Sequence, residues 1–299
     1  MSMSATPNLF IIGMPKCGTT ALAAYLQNHS DVLMSVPKEP HYFDTYYEDM
    51  TLEEYIKRCY GNFKGEKIIG EATPVYLIVP WALERLAKHY PKAKYIAIFR
   101  NPVDRAYSHW WMFYSRAMDS FSFEEAIEEC LKQSEKELYD PVNWKTERKR
   151  MRKGQSLIMR PYLSNGYYAR YLNSFFRWFD RKQLLVIQTE EFNRDTLKVI
   201  KDVCEFLQIN SYSGNNIRRH NEAYGSAARK VFTLIKGMGL VRFTQSVPES
   251  VRGNIKRVLA GVGERKPVMH RETRKKLALY YAPYNHELEN LLGRRFSWE

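Results

Sequence analysis

The stretch Asn8-Leu-Phe-Ile-Ile-Gly-Met-Pro-Lys-Cys-Gly-Thr-Thr20 decides the fold of this chain. Its apolar run Leu9–Ile12 predicts a short buried strand, and Thr19–Gln27 predicts a helix after a glycine-rich turn. Backbone N–H groups at the start of that helix, the helix dipole and the Lys16 ammonium together favour a bound anion. A Walker loop reads Gly-Lys-Ser/Thr, whereas Lys16 precedes Gly18. The stretch therefore predicts a phosphate site unlike that of the usual nucleoside triphosphatases.

Outward from this stretch, apolar runs alternate with amphipathic segments. Strands are predicted at Lys67–Gly70, Lys94–Phe99 and Leu184–Gln188. Helices are predicted at Leu52–Tyr60, Pro80–Tyr90, Pro102–Arg116, Ser122–Leu138, Tyr167–Phe179, Asp195–Leu207 and Arg271–Leu292. The polar, proline-broken stretch His29–Asp44 is predicted to be irregular. This alternation predicts an α/β fold with a central parallel sheet flanked by helices.

The length and composition are those of one globular domain. With 299 residues and 44% apolar content, the chain can bury a large core. We expect a single domain over residues 1–299, with a basic insert around 139–165 that contains the run Lys145–Lys153. No apolar run approaches the about 20 residues of a membrane helix, and no secretory signal is expected.

The net charge indicates the kind of partner that the protein binds, and the cysteines indicate its cellular compartment. A net charge of +13 implies an anionic partner, either a polyanionic cofactor or acceptor or a nucleic acid. The four cysteines lack zinc-ligand spacing and predict reduced thiols in a cytoplasmic protein. They are Cys17, Cys59, Cys130 and Cys204.

Two motifs, each behind a predicted strand, carry a family resemblance. Pro15–Thr20 and Arg100–Ser108 resemble the two cofactor motifs of sulfotransferases that use 3′-phosphoadenosine 5′-phosphosulfate (PAPS). The resemblance extends in order through Lys38–Phe43, Gly166–Leu172 and Leu292–Trp298, and is closest to the branch with heparan sulfate sulfotransferases and soluble bacterial relatives. It implies a P-loop-like fold and sulfuryl transfer from PAPS to a hydroxyl or amine of a small-molecule or sugar acceptor. No metal, nucleic acid or membrane is expected to take part.

The resemblance also implies roles for particular residues. Lys16 would stabilise the leaving 5′-phosphate of the product, 3′-phosphoadenosine 5′-phosphate (PAP). Glu39 would be the general base, with His41 and Glu71 as competing candidates. The cofactor would be bound by Pro15, Lys16, Cys17, Gly18, Thr19, Thr20, Arg100, Ser108, Tyr168, Arg265 and Lys266.

Several points stay open at the level of sequence. Tyr168 fits either the cofactor site or the core, and Arg265 and Lys266 fit either a closing loop or a solvated one. Many glycosaminoglycan enzymes carry a lysine after the glutamate at position 71, but here Ala72 follows, which weakens the case for a heparan-type acceptor. The alternatives are a small-molecule kinase, which would need magnesium and ATP, and a basic nucleic-acid-binding protein. The acceptor and the oligomeric state are not indicated.

Overall fold

The computed structural model describes residues 5–132, 144, 146, 160–211 and 266–298. The run Lys145–Lys153 (apart from Thr146), most of the predicted insert and Arg265 therefore lie outside the described residues. The helices and strands follow in chain order as β1 (Leu9–Gly13), α1 (Thr19–Gln27), β2 (Val32–Met34), α2 (Leu52–Cys59), β3 (Ile68–Glu71), α3 (Pro80–His89), β4 (Lys94–Phe99), α4 (Pro102–Tyr114), α5 (Phe123–Lys132), α6 (Tyr168–Phe175), β5 (Leu184–Gln188), α7 (Thr189–Arg194), α8 (Thr196–Leu207) and α9 (Arg271–Leu292).

The five strands form one parallel sheet in the order β2-β3-β1-β4-β5. Strand β1 is buried along its whole length and pairs with β4 from Leu9↔Lys94 to Gly13↔Ile98. Position 13 requires glycine, because a Cβ there would lie 2.7 Å from the carbonyl oxygen of Ile98 and φ is +126°. The predicted α/β fold with a central parallel sheet is confirmed.

The chain divides into two compact units. The first comprises Met1–Asn101, Tyr167–Asn221 and Pro283–Glu299, and the second Pro102–Gly166 and Glu222–Ala282. The first unit holds the entire sheet. In the second, Arg105 is fully buried and donates a hydrogen bond to the carbonyl of Tyr162, while the Tyr281 hydroxyl donates to that of Leu163 (2.9 Å). The expectation of one domain over 1–299 stays a prediction.

Two elements of the first unit were not predicted. Val32–Met34 pairs in register with Ile68–Gly70 as β2, although the stretch around it reads as a loop, so that prediction was wrong for these three residues. Three apolar residues show no periodicity, and only their pairing with β3 defines them as a strand. Helix α7 follows β5 without a loop, so the chain between Gln188 and Asp195 carries no break that would reveal it.

Some predicted helix bounds were also too long. Helix α4 ends at Tyr114 and α6 at Phe175, two and four residues before the predicted ends. The predicted capping box of α5 is confirmed, since Ser122 Oγ accepts the Glu125 N–H (3.2 Å) and Glu125 accepts the Ser122 N–H (2.8 Å). None of the helices in the described ranges combines the length and the apolarity needed to cross a bilayer.

Candidate functional site

The loop between β1 and α1 forms an open cradle at the carboxyl edge of the sheet. Gly18 caps α1 with a φ of 101°, and no side chain caps this helix. A Cβ at Gly18 would meet no atom within 4 Å, so the space beside this residue is open. Lys16 takes a left-handed conformation (φ 76°) that is uncommon outside glycine and is often retained at functional loops. The free N–H groups of a helix start, in open space beside a lysine, fit a phosphate group.

The loop between β1 and α1 is held by the first residue of α7, directly after β5. Thr189 Oγ1 lies 2.6 Å from the Cys17 carbonyl oxygen and 3.0 Å from that of Phe99, and it donates to one of them. Cys17 itself is fully buried, so it contributes backbone and packing to the loop. Pro15 and Lys16 are half-buried, Thr19 is buried and Thr20 is exposed, in the order expected for a turn that faces outward.

One ammonium group joins this loop to the candidate base. Lys38 Nζ lies 3.4 Å from Thr19 Oγ1 and 3.2 Å from Thr20 Oγ1, and donates to Glu39 Oε1 at 2.7 Å. The Lys38 and Glu39 side chains are 26% and 40% exposed, so both border solvent. Glu39 and the two threonine hydroxyls are therefore brought together.

His41 lies on the other side of the Glu39 carboxylate. Its Nε2 is 3.4 Å from Glu39 Oε2, and its Nδ1 is 3.1 Å from Asp44 Oδ1. Asp44 is buried and also accepts a hydrogen bond from Thr45 Oγ1 (2.9 Å). His41 has a left-handed φ of 56° at the start of a π-helical turn, Tyr42–Tyr46, which turns its ring between the two carboxylates.

The surroundings keep Glu39 ionised. Burial raises the pKa of Glu39, but the hydrogen bond and charge of His41 and those of Lys38 outweigh it, so the pKa lies well below the usual range. A carboxylate that is ionised and partly exposed beside an anion loop is able to accept a proton from a bound hydroxyl.

Arg100, directly after β4, is the candidate second anion contact of the first unit. Within the described part of the chain its guanidinium makes no hydrogen bond or ion pair, and the residue is half-buried. Its main chain is held on both sides. Tyr168 donates its hydroxyl to the Arg100 carbonyl (2.7 Å) and stacks on Phe99, and Glu190 accepts the Asn101 N–H (2.9 Å). Tyr168 is 1% exposed, so its core position also fixes the corner that carries Arg100.

The remaining predicted cofactor residues belong to the second unit or lie outside the described residues. Ser108 is half-exposed on α4. Lys266 Nζ lies 3.8 Å from the ring centroid of Tyr107, a cation–π contact, and the Tyr107 hydroxyl donates to the Pro267 carbonyl (2.6 Å). Arg265 lies outside the residues that the structure describes. Their roles toward the cofactor stay predictions.

Glu71 is unsuited to contact a substrate. It is fully buried and accepts hydrogen bonds from the hydroxyls of Tyr55 (2.9 Å), Thr73 (2.7 Å) and Tyr76 (3.2 Å). Burial raises the pKa of Glu71 to about 7, although these hydroxyls oppose the rise. The next residue, Ala72, donates its N–H to the Lys38 carbonyl (3.1 Å), so the main chain of Lys38 runs beside the position where a lysine is missing.

The described residues contain no group of three or more histidine, cysteine, aspartate or glutamate side chains arranged to hold a metal ion. The expectation that no metal is required stays a prediction.

Sequence reasoning missed three residues that shape this site. Thr189 and Asp44 carry no local motif, because their partners are distant or follow from the left-handed turn at His41. Lys38 lies at the start of the Lys38–Phe43 stretch of the resemblance, but no local pattern indicates its contact with Thr19 and Thr20.

Comparisons with known proteins agree with this geometry. The sulfotransferase domain family matches residues 6–224. The membrane-associated sulfotransferase kil1 of Dictyostelium discoideum is 27% identical over 98% of this chain and 66% of its own length. The mouse heparan sulfate glucosamine 3-O-sulfotransferase 3B1 is also 27% identical, over 98% of this chain and 65% of its own length. The chain thus spans just under two thirds of these relatives.

A crystal structure of a sulfotransferase from Alicyclobacillus acidocaldarius superposes with a TM-score of 0.66 at 25% identity, covering 98% of both chains. The sheet of parallel strands and the anion loop after β1 are therefore those of a P-loop-like fold. The resemblance drawn from the two sequence motifs is confirmed, and this chain belongs to the sulfotransferase family.

Proposed function

We propose that this protein transfers a sulfuryl group from PAPS to a hydroxyl or amine of a small-molecule or sugar acceptor. The observation that carries the proposal is that Glu39 and the hydroxyls of Thr19 and Thr20 share contacts with one ammonium group, Lys38 Nζ. A base and an anion cradle thus stand side by side, as sulfuryl transfer requires. The family match supports the same reaction class.

Different residues of the chain bind the two phosphate groups of the donor. PAPS, when bound, supplies the sulfuryl group, whose bond to the phosphate oxygen breaks as the bond to the acceptor oxygen or nitrogen forms. Lys16 and the first turn of α1 hold the 5′-phosphate and neutralise the negative charge that develops on it. Arg100 holds the 3′-phosphate, since a guanidinium can donate two parallel hydrogen bonds to phosphate oxygens.

Glu39 is the residue that we propose as general base, and it takes the acceptor proton on its carboxylate. The contacts of His41 support this choice over His41 itself, because both ring nitrogens face carboxylate oxygens. A ring held between two carboxylates has both nitrogens occupied by these partners, whereas Glu39 borders solvent with a 40% exposed side chain. His41 then orients Glu39, and Asp44 orients His41.

The acceptor class rests on charge and on the relatives. The net charge of +13 favours an anionic acceptor over a neutral one. One of the relatives named above, the heparan sulfate glucosamine 3-O-sulfotransferase 3B1 of mouse, is sugar-directed by name. Ala72 departs from that group, so a sugar or small molecule other than heparan sulfate is the proposed acceptor.

A cytoplasmic location is part of the proposal. None of the four cysteines, all of which lie in the described ranges, forms a disulfide bond, and Cys17, Cys59 and Cys204 are buried, which fits a reducing compartment.

Thermal unfolding with and without PAP tests the donor. A ligand present at about 100 times its Kd stabilises the folded state by about 2.7 kcal/mol, which corresponds to a rise in Tm of roughly 4 °C for a chain of this length. Lys16→Ala and Arg100→Ala are expected to abolish most of this shift. Lys57→Ala, at an exposed position on α2, is the matched control and should keep it. An unchanged Tm of the wild type in millimolar PAP would contradict the proposal.

Turnover is tested by mass spectrometry of an acceptor panel incubated with PAPS. Addition of a sulfuryl group that continues in EDTA is the expected result, while a phosphoryl group from ATP that requires magnesium would point to a kinase.

A further inference from the structure

Glu71 is a buried carboxyl group that the proposed mechanism does not use. Its Oε1 accepts a hydrogen bond from Tyr55, and its Oε2 accepts one from Thr73 and one from Tyr76. In the described part of the chain these neutral hydroxyls are the only hydrogen-bond partners of the carboxyl group. A buried carboxyl group held by neutral partners is costly to keep, and such groups are frequent at functional sites. Because Glu71 is closed to solvent, it can act on a bound acceptor only through its neighbours.

Tyr76 connects Glu71 to the segment Lys38–Phe43, which carries the candidate base and which we call the base loop. The Tyr76 hydroxyl donates to Glu71 Oε2 (3.2 Å) and accepts the Phe43 N–H (3.4 Å). A hydroxyl has one proton to donate, so the bond to Glu71 leaves a lone pair of the Tyr76 oxygen for the main chain of Phe43. Glu71 therefore fixes the group that holds one end of the base loop.

The other end of the base loop is held by the residue after Glu71. The Ala72 N–H donates to the Lys38 carbonyl (3.1 Å). Tyr55, which donates its hydroxyl to Glu71, also stacks its ring on that of Tyr42, with centroids 4.5 Å apart and 11° between the planes. The contacts around Glu71 thus reach both ends of the base loop, with the candidate base between them.

We infer that Glu71 is a positioning residue for sulfuryl transfer, which holds the base loop through Tyr76 and so keeps the Glu39 carboxylate in line with the acceptor. The inference rests on the proposed function, because it concerns the base of the same site. A catalytic group displaced by about 1 Å can lose about 100-fold in rate. One buried hydrogen bond at the base loop can therefore matter more for turnover than for folding.

The base loop needs the acceptor oxygen of Glu71 and not its charge. A proton on Oε1 can be donated to the Tyr55 hydroxyl, which can turn its own proton to the Tyr60 hydroxyl 3.1 Å away. Oε2 then accepts from Tyr76 whether Glu71 is ionised or neutral. The side chain in Glu71→Gln offers the same pattern, an N–H donor toward Tyr55 and a carbonyl oxygen toward Tyr76.

The first test removes the connecting hydroxyl and keeps its ring. In Tyr76→Phe we expect kcat for transfer from PAPS to fall about 3- to 30-fold, while the Kd for PAP by calorimetry stays within about twofold of the wild type. Tyr95→Phe is the matched control, because its buried hydroxyl has no hydrogen-bond partner in the described ranges, and it should keep the wild-type kcat. Wild-type kcat in Tyr76→Phe would overturn the inference.

The second test compares two substitutions of Glu71 itself. Glu71→Leu removes the acceptor oxygens and is expected to lower kcat about tenfold or more, whereas Glu71→Gln should retain most of the wild-type kcat. Loss of turnover in Glu71→Gln with unchanged binding of PAP would instead show that Glu71 exchanges a proton in the reaction, and would overturn a positioning role.

A double variant separates positioning from a merely structural role. With Glu39→Gln already present, Tyr76→Phe should lower kcat no further, because its effect passes through the Glu39 carboxylate. Losses that multiply in the double variant would overturn the inference.

Hydrogen exchange measured by mass spectrometry reports on the base loop without any acceptor. Amides of peptides that contain Phe43 should exchange about tenfold faster in Tyr76→Phe than in the wild type or Tyr95→Phe, because the Phe43 N–H loses its partner. Unchanged exchange would contradict the inference. These outcomes differ from failure of the proposed function, in which the wild type itself binds no PAP.

Discussion

At the scale of single residues, Glu71 links burial to the pH dependence of stability. Its pKa is raised by burial to about 7 from 4.5, despite three hydroxyl donors. The folded state therefore holds a proton that the unfolded state releases, and the stabilising contribution is complete below pH 4.5 and lost as the pH rises through 7. A shift of this size corresponds to about 3 kcal/mol.

Glu71→Gln is expected to remove this dependence. Between pH 5 and pH 8 the free energy of unfolding of the wild type should fall by about 2–3 kcal/mol relative to that of the variant, as measured by urea unfolding at each pH. Glu84→Gln, at an exposed position on α3, is the control and should run parallel to the wild type. If the wild type and Glu71→Gln also run parallel, Glu71 does not titrate in this range.

A second residue-scale prediction separates the two base candidates. Glu39→Gln should leave the Kd for PAP within a few-fold of the wild type while kcat falls about 100- to 10,000-fold, the usual contribution of general base catalysis. His41→Ala should lower kcat less, because it loosens the carboxylate without removing it. An equal loss in both variants, together with rescue of His41→Ala by added imidazole, would instead assign the proton transfer to His41.

The sequence could identify these residues but not their surroundings. Glu39 was identified through its motif, whereas the three hydroxyls around Glu71 come from α2 and from the turn that follows β3. Lys38 follows β2, whereas Thr19 and Thr20 are the first two residues of α1, so their contact joins segments that are separated by α1 and β2 in the chain. Such contacts depend on which strand ends lie next to each other, which local patterns do not encode.

At the scale of elements, the last described segment fixes the corner after β4. Trp298 donates its indole N–H to Glu190 Oε2 (3.0 Å), and Glu190 Oε1 accepts the Asn101 N–H (2.9 Å). Trp298 also meets the Tyr168 ring edge-on, with centroids 5.6 Å apart. The segment therefore holds the main chain that carries Arg100.

Trp298→Phe should weaken PAP about two- to tenfold, because it removes one hydrogen bond and leaves the ring packing largely in place. Calorimetry with PAP measures the effect, and Trp178→Phe is the control at an exposed tryptophan of the same unit. Wild-type affinity in Trp298→Phe would show that Glu190 positions Asn101 without help from the indole.

Element prediction succeeded where a single sequence signal was sufficient. The apolar runs of β4 and β5 and the helices α1 and α9 have the predicted bounds, because each has a long or continuous pattern. Strand β2 is three residues long and α7 six, and both owe their conformation to neighbours in the fold. The order of the strands could not be predicted from the sequence either, because it depends on which strand each new strand pairs with after a connecting helix.

At the scale of the whole molecule, the positive charge is expected to act on the rate of donor binding. The chain carries a net charge of +13, and PAP is a polyanion, so their attraction extends over about one Debye length, roughly 10 Å at 0.1 M salt. Long-range attraction speeds encounter, whereas direct contacts set how long the ligand stays. Charges remote from the site should therefore change the association rate alone.

A variant with four exposed lysines replaced by glutamine tests this. The positions are Lys57, Lys88, Lys92 and Lys198, which in the described ranges contact none of the site residues. At low ionic strength its association rate constant for PAP should fall about twofold or more by stopped flow, with the dissociation rate constant unchanged. The difference should vanish near 0.5 M salt, where screening shortens the attraction to a few ångströms. A slower or faster dissociation with the same association rate would show that these lysines act through the folded structure of the site and not through the field of the molecule.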